Sequence, residues 1–157
     1  METDDNPDVL VAIALGSNVG DRATHLRFAI DALRPQLTDL TASRFYDTAP
    51  VGVGPQPRFL NAAAVGRTTQ SPRALLMALL AIEQRRGRER PWPGAPRTLD
   101  LDLILYGSAV VTEPGLFIPH PRFRDRRFVL EPLAEIAPDL IDPVTGRTMA
   151  QLLAALR

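Results

Sequence analysis

The sequence predicts an α+β fold built on an antiparallel sheet, and three observations carry that reading. Segments of strand and helix character follow one another as strand, helix, strand, strand, helix, strand, the ferredoxin-like pattern. The chain has 157 residues, the length of one domain spanning 1–157, with residues 1–8 expected as a flexible tail. Its 45% hydrophobic and 23% charged residues are the composition of a globular chain able to bury a core.

The first strand is the apolar run from Val9 to Leu15, stopping at Gly16. Asp21 then caps a helix whose Leu26, Ala29, Ile30 and Leu33 recur at helical spacing, and Pro35 ends it. LTASRFYDTAP and RFLNAAAVGRT read as two further strands, separated by the irregular VGVGPQP. Ser71 and Pro72 open a second helix with Leu75, Leu76, Leu79, Leu80 and Ile82 as its apolar stripe and Gly87 just past its end. A proline-rich connection leads to the fourth strand, LDLDLILY. Beyond it, SAVVTEP is expected to pair beside that strand, and PHPRFRDRRFVLEPLAEIAP to hold a short helix interrupted near Pro132. DPVTGRT reads as a hairpin tip, and Thr148 caps a terminal helix with Met149, Leu152, Leu153 and Leu156 on one side.

Composition narrows the chemistry. Net charge is zero, which argues against a nucleic-acid partner held by many phosphate contacts. Without cysteine there is no thiolate catalysis, disulfide or Cys-based zinc site, and His25 and His120 are too few for a histidine cage. The acidic start and the short apolar run after it fit neither a secretory signal nor a membrane span, so a cytoplasmic chain without a membrane partner is expected. All 18 positive residues are arginine, and a Walker-type phosphate loop or a kinase strand motif needs lysine.

Two features remain unexplained by packing. In an extended strand Asp100 and Asp102 share one face while Leu99, Leu101 and Leu103 take the other, leaving the two carboxylates roughly 7 Å apart by backbone spacing. A solvated edge or a magnesium site accounts for such a pair taken alone. The segment RRGRERPWPGAPR, Arg85 to Arg97, runs into that strand carrying five arginines and one glutamate, with prolines and glycines that keep it irregular. Guanidiniums bind phosphate in bidentate fashion and carboxylates repel it unless a divalent ion lies between, so the combination suits magnesium polyphosphate.

GSNVGDR, SRFYDTAPVG, FLNAAA, PRTLDLDLILYG and PHPRFRDRRFVLEPLAEIAP occur in the same order and at similar spacing in the 6-hydroxymethyl-7,8-dihydropterin pyrophosphokinases of folate biosynthesis, which this chain closely resembles from about Val9 onward. The resemblance implies a ferredoxin-like sheet with helices on both faces. It implies transfer of the β,γ-diphosphate of ATP, as one unit, to the pterin hydroxymethyl group, with release of AMP. Asp100 and Asp102 then become ligands of two Mg2+ ions, Arg88 and Arg97 catalytic phosphate clamps, and Glu83, Arg90, His120 and Arg126 contacts to ATP. Thr48, Ala49, Val51, Phe59, Asn61 and Phe128 match the pterin site, where a flat heteroaromatic needs a stacking surface and fixed polar groups. Phe59 stands where other members carry tyrosine, and PWPGAPR moves Trp92 relative to the family's loop tryptophan. A monomer acting on small molecules is expected.

Two residues read differently without the family. Glu83 taken alone is a carboxylate on a helix surface, and His120 an ordinary loop histidine between prolines. An RNA-recognition module shares the strand order, but the chain lacks the interleaved aromatic and basic stretch such modules present.

Overall fold

The computed structural model describes residues 8–49, 57–87 and 98–156. Within them the elements are β1 (Val9–Ser17), α1 (Arg22–Leu33), β2 (Thr38–Ala42), β3 (Tyr46–Thr48), β4 (Phe59–Thr68), α2 (Pro72–Arg85), β5 (Asp100–Tyr106), β6 (Val111–Glu113), β7 (Leu116–Ile118), α3 (Arg127–Ile136) and α4 (Met149–Ala155). The main sheet runs β2-β4-β1-β5 with every pairing antiparallel, and β3 adds to β4. That order is the ferredoxin-like one. No helix among the described residues is long and apolar enough to cross a membrane.

Alternation along β1 divides the core in two. Val11, Ile13 and Leu15 face α1 and α2, where they meet Leu26, Ala29, Ile30 and Leu33 of the first helix and Leu75, Leu79 and Ile82 of the second. Ala12 faces α3 and α4, packing with Val129, Leu130, Leu133, Met149 and Leu152. Helices therefore cover both faces. The caps follow the sequence: Asp21, Ser71 and Thr148 each accept a backbone N–H in the first turn, and Gly87 takes φ +77° after α2.

Several expectations are corrected. The first strand does not stop at Gly16 but continues to Ser17, because Gly16 and Ser17 still pair with Asn61 and Leu60 of β4. LTASRFYDTAP is two strands rather than one. Ser43 breaks it: its hydroxyl accepts the Ala63 N–H at 2.9 Å and donates to the Arg44 carbonyl at 2.7 Å, which displaces the backbone ladder for a few residues. SAVVTEP does not pair beside β5. Its strand β6 forms a separate hairpin with β7, while the outer edge of β5 receives the His120 N–H at the Ile104 carbonyl, 3.0 Å away. Finally, α3 runs through Pro132 without interruption, since its strongly amphipathic face buries Val129, Leu130, Pro132 and Leu133.

Candidate active site

A cleft of about 90 Å³ opens on the α3 side of the sheet. Its floor is set by register. Gly16 of β1 lies opposite Asn61 of β4 on one side and Asp100 of β5 on the other, and Ala14 lies opposite Ala63 and Asp102. Amide, glycine and carboxylate thus form one row across three strands. With neighbouring strands about 4.8 Å apart, the Asn61 and Asp100 backbones stand about 10 Å from each other, with the small residues Ala14 and Gly16 between them. A Cβ at Gly16 would sit 3.0 Å from Asn61 Oδ1, so glycine is what lets the amide lie over the strand. That role was missed in the sequence, although a glycine inside a strand is itself a signal of close approach.

Around this floor the cleft gathers Thr48, Ala49, Phe59, Asn61, Asp100, Asp102, Arg126 and Phe128, all named from the sequence, together with Leu15 and Val129. Asn61 is 5% exposed, and its Nδ2 donates to Thr48 Oγ1 at 2.5 Å, which orients the amide. Arg126 lines the rim with its guanidinium 5.6 Å from the Phe128 ring centre, a cation–π distance. Two walls are tied together by Glu135 of α3, which accepts from the Tyr46 hydroxyl of β3 at 2.6 Å and from the Arg44 backbone N–H. Hydrogen bonds from Tyr46 and Arg44 hold the Glu135 carboxyl below the ordinary carboxylate range, against a smaller opposing effect of burial.

Asp100 and Asp102 are half-buried on the cleft side of β5, while Leu99, Leu101 and Leu103 pack into the opposite core. Two carboxylates on one strand face, open to a cleft, are the protein ligands that magnesium takes when substrate phosphates complete its shell, so the donor set fits that ion.

Two of the residues matched to the nucleotide do not line the cleft. His120 follows β7, half-buried, and its Nδ1 accepts the Arg122 N–H at 3.1 Å. Burial, followed by the charges of Arg126 and Arg122, pushes its pKa below the ordinary histidine value and favours the neutral ring. Glu83 is 2% exposed, which corrects its reading as a helix-surface carboxylate, and its Oε2 accepts the Leu101 N–H at 2.7 Å. Val51, Arg88, Arg90, Trp92 and Arg97 lie outside the described residues, as does the tail 1–7.

Near the end of α2 stands a cluster with no sequence signal. Arg86 donates from Nε to His25 Nδ1 at 2.8 Å, and the guanidiniums of Arg85 and Arg86 both lie over Phe28. Desolvation and then the Arg86 charge lower the His25 pKa, so the ring is the neutral acceptor.

An acidic pair, an oriented amide and an aromatic wall converging on one cleft define an enzyme for small molecules rather than a nucleic-acid platform. The comparisons agree. Residues 12–138 match the model of the 7,8-dihydro-6-hydroxymethylpterin-pyrophosphokinase (HPPK) family. The 2-amino-4-hydroxy-6-hydroxymethyldihydropteridine pyrophosphokinase of Pseudomonas aeruginosa is 43% identical over 147 residues, covering 92% of this chain and 90% of that protein. Its namesake in Synechocystis is 45% identical over 143 residues, covering 90% and 73%. Wild-type HPPK-DHPS of Plasmodium falciparum superposes with a TM-score of 0.76 at 14% identity, covering 97% of this chain but only 45% of its own, and shares the fold. The chain belongs to the 7,8-dihydro-6-hydroxymethylpterin-pyrophosphokinase family and is a transferase of folate biosynthesis.

Proposed function

We propose that the chain transfers the β,γ-diphosphate of ATP to the hydroxymethyl group of 6-hydroxymethyl-7,8-dihydropterin. The observation that carries this reading is the row Asn61, Gly16, Asp100 across three adjacent strands, which sets a polar amide and a carboxylate on one cleft floor. A flat heteroaromatic fits between. Asn61, oriented by Thr48, reads its donor and acceptor edge, and Phe128 and Phe59 supply apolar contact to the ring.

The hydroxymethyl oxygen then faces the acidic end of the cleft. Asp100 and Asp102 would hold magnesium there, and the polyphosphate at that end presents its β phosphorus to that oxygen. A bond forms between them as the hydroxyl gives up its proton to solvent, the bond from the β phosphorus to the α,β-bridging oxygen breaks, and AMP leaves with that oxygen and the electron pair. Two Mg2+ ions bound by Asp100 and Asp102 would neutralise phosphate oxygens and the charge developing on the leaving group. Arg126, at the rim, is suited to a phosphate or ribose oxygen, and neutral His120 adds a hydrogen-bonding group without like-charge repulsion from nearby arginines. Arg88, Arg90 and Arg97 keep the roles in phosphate clamping that the family motif implies. The lack of cysteine suits a reducing, cytoplasmic setting, and the cleft suits partners that are small molecules.

Chromatography of a mixture of ATP, magnesium and hydroxymethyldihydropterin tests the assignment. AMP should form in step with pterin diphosphate. ADP as the coproduct, or ATP consumption independent of pterin, would contradict it.

A further inference from the structure

Glu83 and Asp142 are the buried carboxylates among the described residues. Asp142 accepts from the Arg124 guanidinium, and Glu83 accepts from the backbone of the sheet. It stands near the end of α2, and its Oε2 accepts the N–H of Leu101, the residue between Asp100 and Asp102. β5 is the outer strand of the sheet, bonded to β1 on one side. The Leu101 N–H points away from β1 toward α2, and Glu83 meets it there in place of a further strand.

Burying a carboxylate is costly, and an aliphatic side chain at this position would pack against Leu79 and Leu101 with no charge to desolvate. Such a side chain could not accept the N–H. The backbone between the two aspartates would then lose its outward hydrogen bond, and the spacing and direction of both carboxylates would loosen with it.

We propose that Glu83 is a positioning residue for the acidic pair: by accepting the Leu101 N–H it fixes the backbone from which Asp100 and Asp102 project. This rests on the pyrophosphokinase reading of the cleft and reassigns Glu83 from the nucleotide contact implied by the family motif. Metal binding at a carboxylate pair depends on their mutual geometry, so the effect falls on the magnesium requirement rather than on the pterin, which lies across the sheet at Asn61.

Two variants separate reach from charge. Glu83→Asp keeps the charge but withdraws the oxygen by one methylene, while Glu83→Gln keeps an oxygen at the same reach without the charge. Amide hydrogen exchange at Leu101 in the ligand-free protein is read beside the magnesium concentration for half-maximal AMP formation. In Glu83→Asp both should rise about tenfold, the worth of one hydrogen bond, with pterin KM unchanged within about twofold. Glu83→Gln should stay near wild type on both. The reverse order, with Gln impaired and Asp not, would overturn the role in favour of a charge contact. Faster Leu101 exchange with an unshifted magnesium requirement would reduce Glu83 to a structural residue. Unchanged exchange in Glu83→Asp would overturn the role as well. A wild type that forms no AMP with pterin would overturn the pyrophosphokinase reading itself, and this role with it.

Discussion

Asp142 has no exposed surface, yet its carboxyl remains ionised. Burial alone would raise its pKa, but bonds from Arg124, the Thr145 hydroxyl and the Val144 N–H outweigh that and bring it from 3.8 to about 2. A depressed folded-state value contributes stability that is present above the unfolded pKa and lost as pH falls through the folded one. A shift from 3.8 to about 2 corresponds to ~2 kcal/mol. Asp142→Asn should therefore lower unfolding stability by about that amount at neutral pH, with the gap to wild type closing between about pH 4 and pH 2. Urea denaturation across that range checks it, and a gap independent of pH would refute it. The tie matters for the cleft because Arg124 belongs to the turn just before α3, the helix that bears Phe128. DPVTGRT showed its turn character in the sequence, but the partner of Asp142 lies 18 positions away and no local pattern announces it.

At the scale of elements, β4 is the strand on which the sheet is assembled, pairing with β1, β2 and β3. Gly66 lets the chain between α1 and β2 approach it closely. A Cβ there would lie 2.8 Å from Leu37 Cβ and 3.1 Å from the Thr38 carbonyl oxygen, and the latter is backbone that cannot rotate away. Gly66→Ala should cost about 1–3 kcal/mol by overpacking while leaving pterin KM unchanged, since Gly66 does not line the cleft. A denaturant midpoint equal to wild type would contradict this. Helix positions and caps were legible because 3.6-residue spacing and capping residues are local signals, as at Leu26 through Leu33 or Thr148. The break at Ser43 and the hairpin of β6 and β7 were not. Each depends on which backbone group a distant strand offers: Ala63 to the serine, and Ile104 to the chain after β7.

For the molecule as a whole, the cleft exists because three strands bring residues from separate motifs into register. The shared face of Asp100 and Asp102 followed from alternation alone, and the strand order from the succession of elements. Which residues would stand beside them was not contained in either. Gly16 between Asn61 and Asp100, Glu83 beneath Leu101, and Glu135 bridging to Tyr46 all join segments far apart in the chain. The motif resemblance supplied part of that register because it carries a fold already assembled. Isothermal calorimetry of ATP binding, with magnesium and with chelator, on wild type and on the Asp100→Asn, Asp102→Asn double variant is the most direct test. The account predicts strong uptake by wild type with magnesium, and a large loss both on chelation and in the variant. Equal affinity in all of these states would contradict it.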